Sequence, residues 1–150
     1  MSAYTERQQR QLEVVGSFFE PQPGFDYLGA IADDCVWWNP LPHIPGAEGI
    51  TEHRGKDAVL NILMGAGADH SARGIDAYDL STATYHDVLT LCDGRHVLRQ
   101  HRFRAKTRSG RDYENHYAFV FEFDDDVRIR HIWEHWDTLT ATRVLFRKTV

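Results

Sequence analysis

The stretch YENHYAFVFEFDDDVRIRHIWEHWDTL, residues 113–139, decides the fold, because it reads as two long strands joined by an acidic turn. Successive side chains of a strand point to opposite faces, so every second residue shares a face. One face of the first strand takes Asn115, Tyr117, Phe119, Phe121 and Phe123. One face of the second takes Ile132, Glu134 and Trp136. The pattern predicts a hairpin whose more apolar face is covered by the rest of the chain.

Glu134 is the anomaly on that face, because it lies between Ile132 and Trp136. An ionised carboxylate in apolar surroundings must pair, shift its pKa or face a cavity. The functional interpretation is a cavity carboxylate with a raised pKa that acts as general acid or base. The structural alternative is a salt bridge to Arg102 or Arg130.

Length and composition indicate one α+β domain that spans residues 1–150. The chain has 42% hydrophobic and 12% aromatic residues, enough for one core and too little for two. Its net charge of -5 argues against binding to nucleic acid or to an anionic membrane surface.

The two cysteines are far apart, and no apolar run approaches the ~18 residues of a membrane span. The N-terminal residues are polar and resemble no secretion signal. From these absences we expect a cytoplasmic protein without a membrane span.

The N-terminal half predicts helices, a short strand and a long loop. Apolar spacing favours a helix over residues 5–19 with Thr5 as N-cap, and a second over 25–34. A strand follows over 35–40, and proline and glycine mark 40–55 as loop. A third helix is expected over 55–67.

The C-terminal half alternates with period two. Strands are predicted over residues 75–79, 85–92, 96–107, 113–123 and 127–138, with a short helix or irregular cover over 141–150. Helices followed by a strongly bent, mixed or antiparallel sheet give an α+β domain whose sheet wraps the helices like a cone.

Three segments carry a family resemblance: ADDCVWWNPLPHIPGAEG, RGKDAVLNIL, and the final hairpin ending RIRHIWEHWDT. Together they resemble the nuclear transport factor 2-like superfamily, and within it the polyketide-cyclase (SnoaL-like) group. That group also holds ketosteroid isomerases, limonene epoxide hydrolases and phenazine-pathway enzymes. The resemblance covers most of the chain and implies a homodimer with a deep cavity inside the cone.

Carried over residue by residue, the resemblance gives a mixed picture. Asn39 stands where the ketosteroid isomerases have an aspartate base, and an amide cannot act as a base. Trp37 and Asn39 stand where the epoxide hydrolases orient a water, whereas the relay of that group is not reproduced by Gln100, Arg102 and Glu134. A glutamate near the Glu134 position resembles the phenazine-pathway members, in which it serves as acid.

The other candidate residues have two interpretations each. Asn39 could hold a substrate oxygen or a water, or could cap the turn before Pro40. Asn115 and Tyr117 could bind a substrate oxygen, or could satisfy loop and helix-end carbonyls. Arg102 could bind an anion, or belong to a solvated basic hairpin over residues 95–111 that pairs with acidic neighbours.

Nine histidines raise the question of a metal site. His131 and His135 share a strand face, with His116 on the facing strand, but no metal-ligand motif is present. We therefore expect no metal, and we expect this outer face to pack on a second subunit through His131, Trp133 and His135.

The sequence leads to two hypotheses. The first is a cofactor-free enzyme using acid/base chemistry, of the isomerase, cyclase, dehydratase or hydrolase type, on an apolar oxygenated small molecule. Glu134 and Asn39 are the candidate catalytic residues. The candidate substrate-binding residues are Trp37, Arg102, Asn115, Tyr117 and Trp136. The second is a non-catalytic ligand-binding or dimerisation module of the same fold.

Overall fold

The first helix, α1, spans Glu6–Phe19 and begins as its sequence predicts. In the computed structural model, which describes residues 3–40 and 51–146, the Thr5 hydroxyl accepts from the Gln8 backbone N–H at 3.2 Å. The Gln8 side chain accepts from the Thr5 N–H at 2.8 Å. This reciprocal capping box satisfies two N–H groups that the first turn leaves without partners. Val15 and Phe18 lie on the buried face of the helix.

The remaining elements follow in chain order. They are helix α2 (Tyr27–Ala30), strands β1 (Ile31–Trp38) and β2 (Glu52–Arg54), helix α3 (Lys56–Gly65), a 3-10 turn (Ser71–Arg73), strands β3 (Tyr78–Cys92), β4 (His96–Thr107), β5 (Asp112–Phe123) and β6 (Ile129–Trp136), and helix α4 (Thr138–Val144). None of the helices in this part of the chain has the length and apolarity to cross a membrane.

Across the described residues the strands form a six-stranded sheet in the order β2-β1-β6-β5-β4-β3. β1 runs parallel to β6, and every other neighbouring pair is antiparallel. The predicted α+β class with N-terminal helices and a mixed sheet is confirmed.

The core lies on the sheet face that the alternation of β5 predicts. Every second residue of β5 is buried: Tyr113, Asn115, Tyr117, Phe119, Phe121 and Phe123. Phe18 of α1 packs edge-on against Phe121, with ring centroids 5.3 Å apart, and lies 5.8 Å from the Trp37 ring. Helix α1 therefore covers the inner face where β1, β5 and β6 meet.

The second predicted helix is mostly wrong, because β1 begins at Ile31 and includes Asp33 and Asp34. Pairing between β1 and β6 shifts register between Ile31 and Val36, so the two exposed aspartates interrupt the strand alternation. Asp33 instead forms an ion pair with Lys56 at 3.0 Å. In the sequence, two adjacent aspartates at an exposed register shift of a strand look the same as two aspartates that end a helix.

Two further boundaries differ from the sequence-based expectation. The predicted strands 75–79 and 85–92 form one strand, β3, whose pairing with β4 shifts register twice, and Asp87 adopts a φ of 52° at the second irregularity. Strand β2 lies within the predicted loop 40–55 and pairs with β1. Residues 41–50 of that loop lie outside the described residues.

Candidate functional site

The parallel pairing of β1 with β6 brings Trp37 and Asn39 to Glu134. Trp37 is paired with Ile132, and Asn39, the first residue after β1, follows two positions later on the same face. The indole Nε1–H of Trp37 donates to Glu134 Oε2 at 3.0 Å, and Nδ2 of Asn39 donates to the same oxygen at 2.9 Å. The structure therefore joins three of the predicted site residues through one carboxylate oxygen.

Glu134 is buried, with 7% of its surface exposed. Within residues 3–40 and 51–146, the structure gives it no ion-pair partner, so the predicted structural alternative of a bridge to Arg102 or Arg130 is not found. A buried carboxylate held by neutral donors keeps the desolvation penalty of its charged form.

Burial raises the pKa of Glu134 from 4.5 to about 7, and the hydrogen bond from Trp37 opposes that rise. Both protonation states are therefore populated near neutral pH. Because both donors contact Oε2, a bound proton resides on Oε1, the oxygen that no described residue donates to. Once the proton leaves, the same Oε1 atom can accept one, because the donors among the described residues contact Oε2.

Two more side-chain polar atoms are buried without a partner among the described residues: Oδ1 of Asn39, whose Nδ2 bonds Glu134, and Nε1 of Trp136, two residues after Glu134 on β6. Asn39 is only 6% exposed. Buried side-chain polar atoms nearly always have a hydrogen-bond partner, so each such atom calls for an explanation. One is an acceptor and the other a donor, which is the combination that a water or a hydroxyl group satisfies.

Tyr117 and Asn115 belong to a hydrogen-bonded chain that runs away from Glu134. The Tyr117 and Tyr113 hydroxyls are 2.7 Å apart, and Nδ2 of Asn115 donates to the Tyr113 hydroxyl at 2.9 Å. Nδ2 of Asn115 also donates to the Asp137 carbonyl at 3.0 Å, and its Oδ1 accepts from the Asp137 N–H at 3.2 Å. The start of α4 thus uses both ends of the Asn115 amide, and a role of Asn115 in ligand binding stays a prediction.

The Tyr117 ring contributes to an aromatic wall. It is stacked with the Trp136 ring at 5.7 Å and with the Phe119 ring at 5.8 Å. Burial raises the pKa of Tyr117 well above its ordinary value and that of Tyr113 to about 12, so both phenols stay neutral.

The structure does not bring Arg102 to the site. Its guanidinium bonds Asp87 at 3.0 Å and lies 3.5 Å from Glu114, on the face of β4 opposite to the core. Side chains alternate between the two faces of β4, and its even-numbered residues, Arg102 among them, face outward. The alternative interpretation of Arg102, pairing with acidic neighbours, is the one observed.

Sequence reasoning missed Arg99 and His101, which lie on the inner face of β4 at 3% and 2% exposure. The Nε–H of Arg99 donates to Nδ1 of His101 at 3.0 Å. Alternation from Val97 through Phe103 could have found both, since it places Arg99 and His101 on the apolar face.

The histidines of the outer face contact tryptophan rings, stacked in one pair and tilted in the other. The His131 and Trp133 rings are 3.6 Å apart, and the His135 and Trp38 rings 5.1 Å. In the described part of the chain, no three His, Cys, Asp or Glu side chains cluster as a metal ion would require.

Two surface clefts, of about 440 and about 450 Å³, lie elsewhere on the molecule. The first is bounded by α1 and the turn at residues 125–127, and the second by β4 and β5 around residues 104–106 and 112–114. Glu134 lines neither. What points to a site at Glu134 is its hydrogen bonding and its pKa.

Comparison with known proteins supports the fold. The chain is similar to a nuclear transport factor 2-like protein from Burkholderia xenovorans LB400, at 22% identity and a TM-score of 0.67, over 91% of this chain and 96% of that one. A phenazine biosynthesis-related protein from Pseudomonas aeruginosa matches at 18% identity and a TM-score of 0.62, over 100% and 89% of the chains. A steroid delta-isomerase from the same organism matches at 18% identity and a TM-score of 0.59, over 95% and 88%.

No protein with a curated description matches the sequence. The structural similarities lie below 25% identity and establish the shared fold. The sequence model of the SnoaL-like domain matches residues 26–132, which contain β1 through the first half of β6. The chain belongs to the SnoaL-like domain family.

Proposed function

We propose that this protein is an enzyme that uses its own side chains for acid/base chemistry on an apolar, oxygenated small molecule. The reaction class is isomerisation, cyclisation, dehydration or hydrolysis. The observation that carries the proposal is the buried carboxyl of Glu134, whose pKa is raised to about 7 and which is oriented by two donors on one oxygen. A general acid or base works best when its pKa is near the working pH.

Glu134 is the proposed proton carrier. In its acid form, the proton on Oε1 is donated to a carbonyl, hydroxyl or ether oxygen of the substrate. In its carboxylate form, Oε1 takes a proton from carbon or from a water, while Trp37 and Asn39 stabilise the charge on Oε2. Both directions use one atom, as a proton transfer followed by its return requires.

Trp37 and Asn39 are positioning residues in this proposal, because they fix which oxygen of Glu134 carries the proton. Asn39 has a second function, since its unpartnered Oδ1 can accept from a water or a substrate hydroxyl. The indole N–H of Trp136, which also has no partner among the described residues, can donate to a ligand oxygen. The aromatic wall of Tyr117, Phe119 and Trp136 favours an apolar ligand body.

The fold neighbours agree with this class of chemistry. A steroid delta-isomerase and a phenazine biosynthesis-related protein share the scaffold. One scaffold hosts many chemistries, so the assignment to this chain depends on Glu134 and its donors.

The test is a panel of cyclic ketones, enones, epoxides and hydroxy acids, followed by NMR of the products, with wild type and Glu134→Gln. On a true substrate we expect Glu134→Gln to lower kcat/KM by roughly 10²–10⁴-fold. The matched control is Glu122→Gln on the adjacent strand, which should retain wild-type turnover. Unchanged turnover by Glu134→Gln would remove Glu134 from the chemistry.

The second candidate is a non-catalytic binding or dimerisation module. It is favoured by one observation, that Glu134 lines neither of the two surface clefts. Mass spectrometry of the protein purified under native conditions separates the two. A co-purified small molecule that is never converted supports the binding module, whereas turnover lost in Glu134→Gln supports the enzyme.

A further inference from the structure

One row of the sheet places Arg99 on the same inner face as Glu134. Arg99 of β4 is paired with Phe119 of β5, and Phe119 is paired with Glu134 of β6. Paired residues of neighbouring strands point to the same side of a sheet. The strands are about 4.8 Å apart, so the Cα atoms of Arg99 and Glu134 are separated by roughly 10 Å.

The surroundings of the Arg99 guanidinium are aromatic. It lies 4.4 Å from the Phe19 ring centroid and 5.3 Å from that of Tyr85. Its Nε–H donates to His101, and one of its terminal nitrogens is buried without a partner among the described residues. At 3% exposure this is a cation withdrawn from water, with one terminal nitrogen that has no acceptor among the described residues.

Within residues 3–40 and 51–146, Arg99 forms no ion pair. Burial lowers the pKa of Arg99, and the field of Glu20, an exposed residue after the end of α1, acts in the opposite direction. A buried charge without a counter-ion is strongly unfavourable, so such groups are normally paired. A bound anion would neutralise this charge.

His101 adds a second donor. Burial and the charge of Arg99 lower the pKa of His101 to about 3, so its ring is neutral. Nδ1 accepts from Arg99, which places the ring proton on Nε2. No described residue accepts from that Nε2–H.

We propose that Arg99 and His101 form a carboxylate-binding subsite, and that the ligand reaching Glu134 is an apolar monocarboxylic acid. This deepens the proposed function and rests on it. The aromatic rings of Phe19, Tyr85 and Phe119 fit an organic acid better than an inorganic ion. A single negative charge neutralises the single cation, whereas a phosphate dianion would leave a net charge buried.

The spacing defines the substrate further. With its carboxylate at Arg99, the body of the ligand crosses the Phe119 ring and presents its oxygenated carbon to Oε1 of Glu134. Phe19 and Tyr85 are half-buried and lie over the guanidinium, so binding of the carboxylate requires that one of these rings move.

The test measures melting temperature with three probes: benzoate, its neutral analogue benzamide, and inorganic phosphate. Benzoate at ten times its Kd should raise the melting temperature of the wild type by roughly 3–6 °C. Benzamide and phosphate should not. In Arg99→Met the benzoate shift should vanish, and in Arg104→Met, on the outer face of the same strand, it should persist.

Without ligand, the melting temperature of Arg99→Met should change in opposite directions for an anion-binding Arg99 and for a structural Arg99. Arg99→Met without anion should melt at or above the wild-type temperature, because it removes an unpaired buried charge. A lower melting temperature together with no benzoate effect on the wild type would mean a structural cation and overturn the proposal. Equal shifts by phosphate and benzoate, or equal benzoate shifts in Arg99→Met and wild type, would overturn it as well.

A third measurement does not depend on a folded Arg99→Met variant. In the wild type, ¹⁵N NMR of arginine side chains should show the Arg99 Nε–H signal moving with benzoate and standing still with benzamide. Arg99→Lys keeps the charge without the planar fork, and we expect roughly tenfold weaker benzoate binding.

Glu134→Gln separates the two proposals. It should lose turnover and keep the benzoate shift. If it kept turnover while benzoate still required Arg99, the role of Glu134 would fail and the subsite would stand. If turnover required Glu134 while the benzoate-induced shift in melting temperature did not depend on Arg99, only the proposed subsite would be wrong.

Discussion

The indole N–H of Trp37 and the carboxyl of Glu134, 97 positions apart in the chain, meet over 3.0 Å in the core. This donor stabilises the carboxylate form of Glu134, so its loss must raise the pKa of Glu134. In Trp37→Phe we expect that pKa to increase by roughly 0.5–1 above its present value, as the net worth of one hydrogen bond implies. A ¹³C NMR titration of labelled glutamate carboxyls measures it.

The matched control is Trp38→Phe, because Trp38 is the next residue of β1 and its ring packs on His135 of the outer face. It should leave the pKa of Glu134 unchanged. Equal titration curves for wild type and Trp37→Phe would show that the indole N–H does not affect the pKa of Glu134 and that Trp37 contributes only packing.

Glu134 should make stability depend on pH in an unusual direction. Its pKa is about 7 in the folded state and near 4.5 when unfolded, so folding retains a proton that the unfolded chain releases between these values. The free-energy cost of keeping the Glu134 carboxylate buried is absent below pH ~4.5. It grows as pH rises and is complete above pH ~7, where it lowers the free energy of unfolding by about 3 kcal/mol. Urea denaturation should therefore show Glu134→Gln gaining up to that amount over wild type between pH 4 and 8.

The control for this curve is Glu122→Gln, where Glu122 lies 3.7 Å from the exposed Arg95 guanidinium. Loss of one surface pair changes stability by less than about 1 kcal/mol. If stability depended on pH equally in Glu134→Gln and in the wild type, the pKa of Glu134 would be the same in the folded and unfolded states, as expected for a carboxyl in water.

Asp76 should show the opposite pH dependence. Burial alone would raise the pKa of Asp76, but hydrogen bonds from Ser109, Thr107 and Arg111 outweigh it and lower that pKa to about 2. Arg111 also bonds the Val144 carbonyl, so Asp76 helps to hold α4 in place. Stability from a lowered carboxyl pKa is present above its unfolded value of 3.8 and is lost as pH falls towards 2.

Asp76→Asn should therefore cost about 2 kcal/mol at pH 7 and progressively less below pH ~4 in denaturant titrations. Asp126→Asn, at a carboxylate whose side chain is 79% exposed, is the control and should change little. A constant cost for Asp76→Asn from pH 7 down to 2 would contradict the role of its charge.

Asn115 separates stability from binding. Asn115→Ala removes the hydrogen bonds from its amide to both backbone groups of Asp137, and it removes one of the two partners of the Tyr113 hydroxyl, which keeps Tyr117. Buried polar groups left unpaired cost roughly 1–3 kcal/mol each, so we expect a loss of about 3 kcal/mol by denaturant titration with little change in the pKa of Glu134. Asn61→Ala, at an exposed position of α3, is the control. Full stability of Asn115→Ala would restore Asn115 as a candidate ligand.

Local patterns carried most of the fold and part of the site. The alternation of β5 is visible in the sequence because a strand half-buried on one face repeats every two residues. The site also depends on the parallel pairing of β1 with β6, which no local period encodes, so the bond between Trp37 and Glu134 could not be deduced. Arg99 is hard to recognise for another reason. It lies within the basic run of residues 95–111, and only alternation along β4 separates it from the outward-facing Arg102 and Arg104.

The outer sheet face gives the last prediction. We propose that His131, Trp133 and His135 pack on a second copy of the chain, because two histidine–tryptophan pairs, one stacked and one tilted, make this face aromatic. A charge placed in an apolar contact is desolvated without a partner, so Trp133→Glu should convert a dimer to a monomer in light scattering at micromolar concentration. Glu114→Lys, on an exposed position of the neighbouring β5, should leave the dimer intact. A wild-type chain that is monomeric at high concentration would rule out this packing and leave the outer face to another partner.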